Sequence, residues 1–184
     1  MMVRHIIPAA WLCWALYWWI AARGAKATQW RESAASRVAH VAPLIAAFLL
    51  LSPTHLPDRP PWALWSGAAL TLAGLAFAVW ARRHLGRNWS GTITLKVDHE
   101  LITSGPYRLV RHPIYAGLSL AFAGSAIASG GLRGASALAL AAFAIWLRVR
   151  MEDRVMRGRF GAAYDDYARR VGAVIPAIGR RGGP

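Results

Sequence analysis

Three observations predict an all-α integral membrane protein of about five transmembrane helices, with its polar motifs on the cytoplasmic side and an amphipathic C-terminal helix. Of 184 residues, 56% are hydrophobic, and the mean hydropathy is +0.31, more apolar surface than one soluble core of this size absorbs. Five apolar segments stand out along the chain, and its Lys and Arg residues sort into alternate loops between them. The 22 Lys and Arg against 8 Asp and Glu would suit nucleic acid by number alone. Uncharged runs of about 20 residues, the length that spans ~30 Å of hydrocarbon, argue against that partner.

The first segment, Val3 to Ala22, carries Trp11, Trp14, Trp18 and Trp19, and no small-residue cleavage motif precedes Arg23. It reads as a retained transmembrane helix rather than a signal peptide. Cys13 within it is the single cysteine, so neither an internal disulfide nor a thiolate zinc cage is expected, and no metal. The second segment, Val38 to Leu51, spans only by borrowing Ala34 to Ser36 while Arg37 snorkels. Ser52-Pro53 and Pro57 to Pro61 end it. The third runs from Trp62 to Ala81 and the fourth from Ile114 to Ser129. Gly130-Gly131 then turns the chain into the fifth, Ala135 to Leu147, which spans only if Arg148 and Arg150 reach the far interface. Segments four and five therefore form a tight helical hairpin.

Nineteen of the 22 Lys and Arg fall on one side of this arrangement, and Arg4, Arg59 and Arg133 on the other. The positive-inside rule puts the N-terminus outside and the C-terminus in the cytoplasm. Residues 1–81 form a three-helix membrane region, 82–178 a core holding the polar motifs, and 179–184 a frayed tail.

The polar chemistry begins at "GPYRLVRHPIYAG", Gly105 to Gly117. Pro113 follows His112 where the fourth apolar run starts, and Pro suits the first position of a helix. Arg108 and Arg111 beside a helix N-terminus form an anion site at the membrane surface. They equally suit contact with lipid headgroups. Glu152-Asp153, inside the arginine-rich run from Arg148 to Arg159, has two readings as well. At helical spacing the acids pair with Arg148 or Arg157. Alternatively, a hairpin of segments four and five returns Glu152 to the face of His112. That site would offer cations for an anion, a carboxylate for an ammonium, and the faces of Tyr107 and Tyr115 for an onium centre. S-adenosylmethionine carries all three groups.

Taken together, "HELITSGPYRLVRHPIYAG" and "MEDRVMRGRFGAAYDDYARRVGAVIPAI" resemble the isoprenylcysteine carboxyl methyltransferase family, relatives of the membrane phospholipid methyltransferases. The resemblance covers roughly Ala81 to Ile178, including "RRHLGRNWSG". It implies a transmembrane helix bundle whose cytoplasmic motifs enclose S-adenosylmethionine, with His99, Leu101, Gly105, Tyr107, Arg111, His112, Tyr115 and Glu152 around it. The family usually has paired glutamates where this chain has Glu152-Asp153, which puts the weight on Glu152.

Transfer to a carboxylate needs no strong base, because the acceptor is already ionised at pH 7. An amine or phenol acceptor would need His84, His99 or His112 as base; for His84 the plainer reading is an interfacial residue without chemical role. Arg148 either orients an anionic acceptor head or snorkels. His99 and Arg148 are thus the catalytic candidates. Of the ten tryptophans, Trp89 is the one set apart from an interfacial belt. The expected partners are membrane lipids and a lipophilic acceptor entering from the bilayer beside Phe143, Ile145 and Trp146: a carboxylate of isoprenylcysteine type, a phospholipid amine or a phenolic lipid. Membrane sterol and enone reductases share a similar Arg-His-Pro-x-Tyr signature, which leaves an NADPH-dependent reductase as the rival enzyme. A non-catalytic membrane scaffold is the rival of another class.

Overall fold

The computed structural model describes residues 3–23, 28–31, 33–51, 59–86, 94–96 and 100–177. Among the described residues, six α-helices carry the fold: α1 (Val3–Ala22), α2 (Ala34–Leu51), α3 (Pro61–Leu85), α4 (Pro113–Ser129), α5 (Gly131–Phe160) and α6 (Ala162–Arg170). A short antiparallel ribbon, β1 (Thr28–Arg31) with β2 (Thr94–Lys96), joins the first and third inter-helix loops. Helices α1, α2, α3 and α5 are long and apolar enough to cross a membrane, and α4 is a shorter apolar helix of 17 residues. The chain is an integral membrane protein of helical architecture, as its sequence predicts.

Local chemistry explains the helix lengths. The start of α2 does extend back to Ala34, where the Ser36 amide donates to the Ser33 hydroxyl (3.2 Å) and so satisfies one unpaired N–H of the first turn. α5 does not stop at Leu147. Its 30 residues make a rod of about 45 Å, so its polar third continues past the apolar stretch and carries Arg148, Glu152 and Asp153 with it. The helix that stays short is α4, because Pro113 opens it and Gly130, at φ +65°, closes it. One residue separates α4 from α5, which form the tight hairpin expected.

α3 and α4 meet antiparallel through matched glycines seven residues apart. A Cβ at Gly74 would lie 2.4 Å from the Gly117 carbonyl oxygen, and one at Gly67 would lie 2.6 Å from that of Gly124. Lipid tails are as apolar as Leu, so close backbone approach supplies packing that a hydrophobic effect cannot supply here. Between these pairs, the buried Thr71 hydroxyl lies 2.8 Å from the Gly67 carbonyl and 3.2 Å from that of Ala121. Phe122 of α4 fills the centre of the bundle between Trp11 and Phe48, and Trp11 donates to the Ser125 hydroxyl at 3.0 Å.

Alternation of the helices gathers the polar residues at one end. Arg82 donates to the Ala21 carbonyl (2.6 Å), tying the C-terminal ends of α1 and α3 together, and α5 presents its polar third beside the N-terminal end of α2. At the opposite end, Arg59 and Arg133 donate to the carbonyls of Ile127 and Leu50, late in α4 and α2. Phe143 and Trp146 lie on the outer side of α5, each 51% exposed, whereas Ile145 is buried. Phe143 and Trp146, three positions apart, share a face of the helix, and Ile145 between them points to another.

Candidate functional site

The site is built where a loop, a helix start and the polar third of α5 converge. A 3₁₀ turn, Gly105–Arg108, precedes α4. Gly105 adopts φ +58°, and a Cβ there would fall 2.6 Å from the His84 ring. Glycine is thus required twice over, by conformation and by space. His84, at the end of α3, bonds Ser104 at 2.9 Å and stacks on Tyr107. It therefore holds the loop rather than simply facing the interface. Tyr107 is buried, its phenol pushed well up by desolvation and by the Glu152 charge.

His112 forms the junction between loop and α4. It is buried, its Nε2 lies 2.8 Å from Asp153 Oδ1, and its Nδ1 lies 3.5 Å from Glu152 Oε2. Burial alone would lower its pKa, but the hydrogen bonds and charges of Asp153 and Glu152 outweigh it, and the net shift is upward. The site favours an imidazolium. Tyr115, one turn into α4, donates to Glu152 Oε1 at 2.6 Å and accepts from Arg148 Nε at 2.9 Å. Arg148 Nε also lies 3.0 Å from Glu152 Oε1.

Arg148 is only 6% exposed, and its Nη1 donates to His40 Nε2 on α2 at 3.0 Å. It does not snorkel. Arg111 is turned toward its own chain: it donates to Asp153 Oδ2 (3.2 Å) and to the carbonyls of Ala168 (3.1 Å) and Val171. The structure places the two arginines of the expected anion site differently. Arg111 ties down the C-terminal segment, and Arg108 is the exposed member of the pair. The Arg111 and His112 amides complete that tie by donating to the carbonyls of Gly172 (2.8 Å) and Ala173 (2.9 Å).

The structure thus brings Arg111, His112, Tyr115, Arg148 and Glu152 into one network, with Gly105 and Tyr107 beside it. Leu101 lies half-buried upstream of the 3₁₀ turn. His99 and Trp89 fall outside the described residues. Sequence reasoning underweighted Asp153, which is 6% exposed and accepts from Arg111, His112 and the Tyr164 hydroxyl. It missed Tyr164 and Tyr167, whose spacing puts both on the buried face of α6; the Tyr167 hydroxyl donates to the Tyr107 carbonyl, and burial pushes its pKa up to about 12. It also missed His40. A histidine within an otherwise apolar helix was the available signal.

Residues 62–163 match the family model described as phospholipid methyltransferase. That is more than half of the chain, and the chain belongs to this family. It is similar to the nickel-cobalt-cadmium resistance protein NccN of Alcaligenes xylosoxydans xylosoxydans, at 34% identity over 117 residues, 62% of this chain and 53% of that protein. It is also similar to a probable protein-S-isoprenylcysteine O-methyltransferase of Oryza sativa subsp. indica, at 32% identity over 101 residues, 50% of each chain. A shorter match, 41% over 73 residues, covers 39% of this chain and 27% of methanethiol S-methyltransferase 2 of Bradyrhizobium diazoefficiens. The chain spans about half the length of the first two relatives.

Proposed function

We propose that this chain transfers a methyl group from S-adenosylmethionine to a lipophilic acceptor that is already an anion, foremost a carboxylate of isoprenylcysteine type, at the cytoplasmic face of the membrane. One observation carries the choice of acceptor: His112 is held between two carboxylates with both ring nitrogens turned toward them. An imidazolium has no lone pair with which to take a proton from an amine or phenol. Among the described residues His40 is the other buried histidine, and its lone pair accepts from Arg148. These commitments favour an acceptor that is nucleophilic as it arrives.

The residues fit the donor. Glu152 is 21% exposed at its side chain, and its Oε2 lies 3.5 Å from His112 Nδ1, a spacing that leaves acceptor capacity for an ammonium. Exposed Arg108 and the start of α4, which lacks a side-chain cap, suit a carboxylate. When bound, S-adenosylmethionine supplies an electrophilic methyl on a sulfonium. Arg148, in a setting of low dielectric, orients the anionic acceptor while half-buried Tyr115 and Glu152 keep its guanidinium in place. A dry site favours the approach of opposite charges that cancel as the bond forms.

The test is labelled-methyl transfer in nanodiscs, offering a prenylcysteine carboxylate, a long-chain thiol and phosphatidylethanolamine side by side. Label on the carboxylate is the expected result. Label on the amine alone would overturn the acceptor class, and calorimetric binding of NADPH without binding of S-adenosylmethionine would favour the reductase reading. Reporter fusions after Arg133 and Pro184 should report outside and inside respectively; the reverse would put the site on the other face.

A further inference from the structure

His40 sits where the sequence offers no reason for a polar residue, six positions into the membrane helix α2, and is 5% exposed. Two hydrogen bonds, one at each ring nitrogen, define its state. Nδ1 lies 3.0 Å from the Ser36 carbonyl oxygen, which only accepts, so Nδ1 carries the proton. Nε2 lies 3.0 Å from Arg148 Nη1, which only donates, so Nε2 carries the lone pair. Both contacts require the neutral ring.

Arg148 is thereby held at two corners from three helices: at Nη1 by His40 of α2, and at Nε by Tyr115 of α4 and Glu152 of α5. A planar guanidinium held in this way cannot turn without losing one of the contacts. The choice of partner matters as much as the geometry. A carboxylate at position 40 would hold Nη1 equally well but would cancel the charge. A neutral imidazole holds it and leaves the charge in place.

We propose that His40 is a positioning residue, which aims the Arg148 guanidinium at an anionic acceptor without quenching its charge; this rests on the transfer reaction proposed above. Its role is electrostatic as well as steric, so substitutions separate the two. His40→Gln keeps a neutral acceptor, His40→Glu keeps an acceptor but adds a negative charge, and His40→Leu removes the acceptor.

The experiment measures kcat and KM for donor and carboxylate acceptor in the three variants, alongside nitrogen NMR of His40 in the wild-type protein in nanodiscs. The expected result is the Nδ1–H tautomer, near-normal turnover in His40→Gln, and a loss of roughly 10- to 100-fold in kcat/KM for the acceptor in His40→Glu and His40→Leu, with the donor KM unmoved. Full activity in His40→Leu, activity in His40→Glu equal to that in His40→Gln, or a proton on Nε2 would each overturn the proposal. Absence of methyl transfer by the wild type would instead overturn the reaction, and the tautomer, which needs no turnover to read, would still decide the contact.

Discussion

Asp153→Asn separates the two neighbouring acids, because the structure gives them different work. Asp153 Oδ1 accepts from His112 Nε2 (2.8 Å) and from the Tyr164 hydroxyl, while Oδ2 accepts from Arg111 Nη2 (3.2 Å). An amide replaces one of these acceptors with a donor, so either Arg111 or the His112 and Tyr164 pair faces an N–H instead of an oxygen. Two buried cations also lose a countercharge. Breaking a buried pair by removing one partner costs about 3–5 kcal/mol. For a chain of this length, at about 2–4 °C per kcal/mol, unfolding should come on the order of 10 °C earlier. The assay is thermal unfolding in one fixed detergent, joined by limited trypsin digestion. Arg111 and Tyr164 anchor the C-terminal segment and α6, so cleavage after Arg169 or Arg170 should accelerate. A midpoint within about 2 °C of wild type, with unchanged cleavage, would refute the assignment of Asp153 as the knot of this network.

Glu152→Gln should behave differently, weakening donor binding by about 1.5–3 kcal/mol, roughly 10- to 150-fold in Kd, as measured by calorimetry; unchanged affinity would leave Glu152 as an internal partner of Tyr115, His112 and Arg148 with no part in holding the donor. The pH dependence follows from His112, which faces Glu152 and Asp153 of α5, the Tyr115 ring of α4 and, through Asp153, Arg111 and Tyr164. Its folded pKa is raised above 6.5, so its contribution to stability is complete below pH 6.5 and is lost as pH rises through the folded value. The wild-type melting temperature should therefore fall from pH 6.5 toward 9 more steeply than that of His112→Asn, and parallel curves would contradict this. Gly74→Ala, whose Cβ would lie 2.4 Å from the Gly117 oxygen, should destabilise by about 1–3 kcal/mol through overpacking, whereas Gly158→Ala, with open space around it, should stabilise by about 0.5–1 kcal/mol; equal shifts in the two melts would deny the close α3–α4 contact.

What was legible in the sequence follows from what the bilayer dictates. Apolar runs near 20 residues, prolines and paired glycines located the helices, because a membrane helix must be long, uncharged and closed at its ends. The meeting of Gly105 to Gly117 with Glu152 was legible for the same reason, since a hairpin of two helices returns the chain to its starting face. The partners within that meeting were not. Arg148 is apolar in its stem and charged at its tip, so snorkelling and burial look identical in a sequence, and only the position of His40 on another helix distinguishes them. Arg111 and Arg108 differ by three positions and by nothing in composition, yet one is tied to the carbonyls of Ala168 and Val171 and the other is exposed. Ala144 is another instance: it looks interchangeable with Ala142, but it is fully buried while Ala142 is exposed. A bulky probe of lateral acceptor entry therefore belongs at 142, because at 144 it would disrupt the core first.

The placement of the site depends on the apolar part of the molecule as much as on the polar one. His84 and Gly105 lie in van der Waals contact only because α3 ends where α4 begins, and that register is set by glycine pairs at 67/124 and 74/117, far from any charge. Each pair brings two backbones to a separation that any side chain would widen. A widening of the α3–α4 seam near Gly74 and Gly117 would carry Tyr115, two residues before Gly117, away from Arg148 and Glu152, whose positions depend on α5 and, through His40, on α2. Hydrogen bonds of 2.6–3.0 Å tolerate little of this before they fail. Substitution at Gly74 should therefore reduce turnover beyond what its loss of stability explains, and it should do so with the charged residues of the network all intact.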